Sequence, residues 1–143
     1  MTSSPAPDAA VRRAVVAGHG DFAAGMISAV QQISGKGDLF RGVSNRDLSA
    51  SALEEALRTT LHATGSKVIF TDLPAGSCTI AARRIARDEP GVVVVSGANL
   101  SVLLAWAFAA NDGAEACEHA VQRGRNAIRV MPGAVVMEGG GAH

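Results

Sequence analysis

The chain has no tyrosine, one tryptophan (Trp106) and four phenylalanines in 143 residues. Proteins that stack nucleic-acid bases on aromatic side chains have little to build on in such a sequence. An excess of one charge is missing too: thirteen Lys and Arg balance thirteen Asp and Glu. No net field would gather a polyanion or an anionic membrane surface, so neither is expected as a partner. The two cysteines, Cys78 and Cys117, stand far apart and form no CxxC pair. That excludes a disulfide scaffold and predicts reduced, inert thiols in a cytoplasmic setting. The most apolar stretch, residues 100–110, falls short of the roughly 20 residues a membrane-spanning helix needs. Residues 1–10 contain neither a basic segment nor an apolar core, so no signal peptide is expected there.

What is present suits a folded core. Hydrophobic residues make up 48% and charged residues 18%, which is too apolar for general disorder. One domain is expected over residues 12–137, between a disordered lead (1–11) and a flexible tail (138–143) that is half glycine. Apolar runs at 13–17, 39–43, 67–71 and 92–96 predict strands, and Val92-Val93-Val94-Val95 is apolar on both faces like a buried parallel strand. Helical spacing links Phe22, Met26, Ala29, Val30 and Ile33, then Leu53, Ala56, Leu57 and Leu61, then Leu100, Leu103, Leu104, Ala107 and Phe108. Ser51 and Glu54 have the spacing of a capping box. A further helix near Gly76 carries Arg83, Arg84 and Arg87, as a solvated face or a docking patch. A last helix is expected from 112 to 123, stopped by Gly124, with a closing strand or arm over 126–131 and 134–137. The alternation predicts an α/β fold: a three-layer, doubly wound, mostly parallel four-stranded sheet with helices on both faces.

The chemistry is expected where strands end. Val15-Val16-Ala17 leads into Gly18-His19-Gly20 and then a helical pattern from Phe22. One imidazole thus stands at the carboxyl end of a strand and faces the start of a helix. Ligands of doubly wound sheets bind in that crevice, and free backbone N–H groups there favour an anion such as a phosphoryl group. Histidine suits nucleophilic work near neutral pH. Two more loops converge at the same edge, residues 72–77 and 96–99. Asp72 could fix the imidazole tautomer, Gly76 would admit a phosphoryl oxygen to the backbone, and Ser77 could donate its hydroxyl. Asp72 is also suited to capping a helix or closing a turn, and a glycine-flanked histidine to an exposed loop. Asn99 and Leu100 add a polar amide and an apolar rim. His62 lies on the polar side of one predicted helix, His119 on another and His143 in the tail, and all three read as surface residues with no carboxylate partner. His19 and Asp72 alone are too few ligands for a metal site.

These residues resemble the IIA domains of mannose-type sugar phosphotransferase systems. The stretch from Gly18 to Gly25 is similar to the family's phosphohistidine segment. The stretch from Phe70 to Ser77 is similar to a second signature, which more often reads Asp-x-x-Gly-Gly-Ser-Pro. Residues 94–104 are similar to a Gly-x-Asn-Leu-Pro-Met-Leu segment, and Gly124-Arg125 to a late Gly-Arg turn. The likeness spans residues 12–131 in order. Ala75 replaces the first glycine of the pair, Cys78 the proline, and Ser101-Val102 the common Pro-Met.

The resemblance implies a phosphoryl carrier. His19 would accept a phosphoryl group from phospho-HPr on its ε nitrogen while Asp72 bonds the δ nitrogen. It would then pass the group to a IIB domain serving membrane IIC and IID components. Phe22, Asn99 and Leu100 would meet these partners, and no metal or nucleotide is implied. Family members form homodimers by exchanging an antiparallel terminal strand, here the closing segment. Two rival readings stay open. One is a regulatory domain of the same fold, including the dihydroxyacetone-kinase type. The other is a dinucleotide-binding module, suggested by Gly18-His19-Gly20-Asp21-Phe22-Ala23, with Asp38 twenty positions beyond Gly18.

Overall fold

All five residues of β1 (Ala14–Gly18) are buried, as the short, two-sided apolar sequence AVVAG requires. β1 pairs in parallel with β2 (Phe40–Ser44) on one side and β3 (Val68–Thr71) on the other. β3 pairs in parallel with β4 (Val93–Val95). The sheet order is therefore β2-β1-β3-β4. The computed structural model describes residues 12–110 and 113–133. The expected strands are present, each displaced or trimmed by a residue or so at its ends.

Five helices cover the sheet: α1 (Phe22–Ser34), α2 (Ala50–Thr64), α3 (Ser77–Asp88), α4 (Leu100–Ala107) and α5 (Ala114–Ala127). Side chains alternate along β1, so each face takes its own set. Ala14 and Val16 pack with Ala23 and Val30 of α1, Leu103 of α4 and Ala120 of α5. Val15 and Ala17 pack with Leu53, Leu57 and Leu61 of α2 and Ala82 and Ile85 of α3. The first layer is anchored by Trp106, whose ring centroid lies 5.5 Å from Phe40 and 5.8 Å from Phe70. The guanidinium of Arg12 stacks over the indole at 4.1 Å. The chain leaves β1 toward β2 on one side and later returns to β3 on the other. The order therefore reverses between β1 and β3, and the loops ending in His19 and Asp72 open onto that point.

Three expectations are corrected. Ser51 does not cap α2: Ser49 is extended, and its Oγ accepts the Ala52 N–H at 3.1 Å. Glu54 is engaged with Arg58 one turn on, at 2.9 Å. Gly124 does not stop the last helix, which runs on to Ala127. A Cβ at 124 would lie only 2.0 Å from Val102 Cγ2, so the glycine serves close packing of α5 on α4. Finally, residues 128–133 form no strand among the described residues. Asn126 and Ala127 belong to α5 instead. The lead (1–11), the stretch 134–137 and the tail (138–143) lie outside the described residues.

Candidate active site

His19 is the first residue after β1, where the chain turns sharply into α1. Gly20 takes a left-handed φ of +55° that side chains other than glycine rarely adopt. The Phe22 N–H then bonds the His19 carbonyl at 3.0 Å. Phe22 folds back over Gly18, where a Cβ would lie 2.5 Å from its ring. The two flanking glycines thus allow a tight turn that leaves the His19 side chain 49% exposed.

Asp72 follows β3, the strand beside β1, so the sheet register brings the two loops together. Its Oδ2 accepts from His19 Nδ1 at 2.8 Å and from the His19 main-chain N–H at 2.9 Å. Burial pushes the carboxyl up, but the bonds from the His19 ring and main chain outweigh it. Asp72 ends below the ordinary carboxylate value. An ionised Asp72 accepts a proton-bearing Nδ1, so the neutral ring keeps its free lone pair on Nε2.

The Asp72 loop is itself tethered. Thr79 Oγ1 of α3 donates to the Leu73 carbonyl at 2.6 Å and lies 2.7 Å from Thr71 Oγ1. Thr79 has one hydroxyl proton, so Thr71 must donate to Thr79. Both threonines are buried. The Ala98 N–H bonds the Thr71 carbonyl at 2.9 Å and ties the third loop to the same strand end.

Gly76, with φ +121°, precedes the first turn of α3. A Cβ there would be 3.7 Å from His19 Cε1, so a helix start abuts the ring. The N–H groups of that first turn, which have no acceptor within the helix, and the Ser77 hydroxyl favour an anion beside His19. Ser77 Oγ accepts from Asn45 Nδ2 at 3.1 Å. Burial and the charge of Asp72 raise the neighbouring Cys78 thiol, only partly offset by Ser77. It stays protonated and is no nucleophile.

Phe22 and Leu100 stand half-buried at the edge of the first core layer. Asn99 is spent inside the chain. Its Oδ1 caps α4 through the Val102 N–H at 2.9 Å, and its Nδ2 donates to the Gly124 carbonyl at 3.0 Å. His119 is exposed as expected. His62 does have a carboxylate beside it: its Nε2 lies 2.8 and 2.9 Å from the two oxygens of Glu89. That sequence separation of 27 hid the pair. Asn45 and Thr79 were likewise missed. Asn45's place directly after a strand was the one signal that marked it. Among the described residues no group of three or more His, Cys, Asp or Glu could hold a metal. Asp38 sits on the turn (Gly37–Leu39) before β2, away from the strand end where a ribose-binding acid would stand.

The structure is a doubly wound α/β domain that sets His19 against Asp72 at the switch point of its sheet. The family described as the PTS system fructose IIA component matches residues 13–122, and the chain belongs to that family. It is a IIA component of the mannose type of sugar phosphotransferase system, a group whose general work is phosphotransfer. Solved structures share the fold. The mannose/sorbose-specific IIA subunit from Enterococcus faecalis superposes with a TM-score of 0.73 at 19% identity, over 85% of this chain and 95% of that one. The component EIIA from Streptococcus agalactiae gives 0.75 at 19%, over 82% and 95%. The IIA protein associated with the fucose utilization operon of Streptococcus pneumoniae gives 0.73 at 21%, over 83% and 92%. No curated protein matches the chain in sequence. No described helix is long and apolar enough to cross a membrane.

Proposed function

We propose that this chain carries a phosphoryl group on His19 Nε2 between HPr and a IIB domain. One observation carries the reading: a single oxygen of Asp72 holds both Nδ1 and the main-chain N–H of His19, while half of the side chain stays open. In the transfer the N–P bond of the donor phosphohistidine breaks as a bond forms from His19 Nε2 to phosphorus. Nδ1 keeps its proton, so the phosphorylated ring gains positive charge, which the Asp72 carboxylate offsets. The start of α3 with Gly76 and Ser77, and the backbone at Gly20, would receive the phosphoryl oxygens. In-line positioning and charge stabilisation are what such a step needs.

The reverse sequence of events delivers the group to a IIB histidine, and from there to sugar entering through the IIC and IID components. Both donor and acceptor are proteins, which suits an imidazole at the surface rather than in a closed pocket. Phe22 and Leu100 form the apolar rim they would meet, and Asn99 shapes that rim from within. A cytoplasmic location follows from this role.

Incubation with phosphoenolpyruvate, enzyme I and HPr tests the proposal. An acid-labile, base-stable adduct confined to His19 is expected, with transfer onward to IIB. Stoichiometric labelling of His19→Ala would overturn it.

A further inference from the structure

Asn45 directly follows β2, on the far side of β1 from β3. Its main-chain N–H bonds the Gly18 carbonyl at 3.2 Å, and its side chain reaches across to Ser77 Oγ at the start of α3. One residue thus links the strand that precedes His19 to the helix that abuts the His19 ring. The direction of the second bond matters. A serine hydroxyl has one proton and two lone pairs. Because the Asn45 amide donates, it occupies a lone pair and leaves the serine proton for another acceptor. Accepting a bond also polarises the hydroxyl and makes it a better donor. Cys78, which that hydroxyl also approaches, is a protonated thiol and a weak acceptor. An oxyanion held on His19 is a far stronger one.

We infer that Asn45 is a positioning residue for phosphoryl transfer: by donating to Ser77 Oγ, it directs the serine proton toward the phosphoryl group on His19. The inference rests on the reading of His19 as the phosphoryl carrier. Asn45 touches no reacting atom and acts through Ser77. The N–P bond changes described above are unaltered, and Ser77 keeps its proton throughout.

The test compares Asn45→Ala and Asn45→Asp, each alone and combined with Ser77→Ala. Phosphoryl uptake from phospho-HPr is followed by rapid quench, with thermal unfolding of every variant measured alongside. Asn45→Ala should slow uptake by up to about tenfold, the effect of one neutral hydrogen bond. Asn45→Asp should slow it further, because a carboxylate of nearly the same shape can only accept and so takes the serine proton for itself. Combined with Ser77→Ala, the Asn45→Ala effect should shrink to within about twofold. The Asn45→Asp effect should lose its greater part.

A mere tether would give the opposite pattern, since aspartate preserves a link to the serine. Wild-type rates for Asn45→Asp would therefore overturn the inference. So would slowing that persists in full without the Ser77 hydroxyl. In both cases the wild-type chain would still be labelled on His19, and the carrier reading would stand. An unlabelled wild-type chain would overturn both.

Discussion

Asp72 spends one carboxylate oxygen on two donors of a single residue, the Nδ1 and the main-chain N–H of His19, at 2.8 and 2.9 Å. The ring rotation and the loop that carries the ring are therefore set by the same acceptor. The carboxylate is 11% exposed and the imidazole 49%, so the orienting group is screened from water while its target is presented to it.

Asp72→Asn should keep the fold and slow phosphoryl transfer by on the order of 10²-fold or more, as with other tautomer-fixing carboxylates. The amide would remove the charge that, in the proposed transfer, balances a phosphorylated ring. Rapid-quench transfer from HPr and to IIB, with circular dichroism as the check on folding, measures this. Unchanged rates in both directions would reduce Asp72 to a loop-closing residue.

Acid stability should depend on the same carboxylate. Asp72 lies below its ordinary value when folded, so it binds fewer protons there than in the unfolded chain. Its stabilising contribution is complete above the unfolded value of about 4 and is lost as pH falls through the lower folded value. Glu89, held down chiefly by its hydrogen bond from His62, has the same sign. Between about pH 6 and about pH 3, the urea midpoint of Asp72→Asn should fall less than that of the wild type. Equal falls would show that the His19 bonds do not survive in solution.

Gly124→Ala should destabilise the chain, although alanine is the better helix former. The added Cβ would lie 2.0 Å from Val102 Cγ2 and 3.0 Å from Asn99 Oδ1, and Val102 is buried. Overpacking of this kind costs about 1–3 kcal/mol. Chemical denaturation should show that loss, and a second substitution, Val102→Ala, should recover part of it. A stabilised Gly124→Ala would mean that α4 and α5 are not in close contact.

Assembly into a homodimer is also expected. Ile128, Val130 and Met131 are 73%, 95% and 77% exposed, and β4 pairs only with β3 among the described residues. An unpaired strand edge and an exposed apolar arm are suited to strand exchange between two copies. Each of the three side chains, fully buried in a partner, would add roughly 1.5–3 kcal/mol before ordering costs. Removing residues 128–143 should therefore give a less stable monomer by light scattering. An intact chain that is monomeric at micromolar concentration would sink the exchange model.

Much of the site was legible because its signals are local. A short apolar strand, a glycine pair around His19 and a helical period from Phe22 all lie within one short stretch. The Asp72 loop repeats that strand-to-helix grammar. Asn45 was not legible, because its bond to Ser77 spans 32 positions and asparagine after a strand is ordinary turn chemistry. Gly124 misled for a related reason. A glycine near a helix end commonly stops the helix, and only the approach of Val102 from another helix shows the different use.

The sequence by itself determined the alternation of elements, the four strands, and the histidine and aspartate at strand ends. Backbone preference and side-chain periodicity act over a few residues and do not need the rest of the fold. The tertiary structure alone decided which strands are neighbours, and so which loops meet. The order β2-β1-β3-β4 sets Asp72 against His19 and lets Asn45 reach Ser77. It also decided that residues 128–133 take no place in that sheet. Such choices depend on which apolar faces cover each other, a property of the whole core rather than of any one segment.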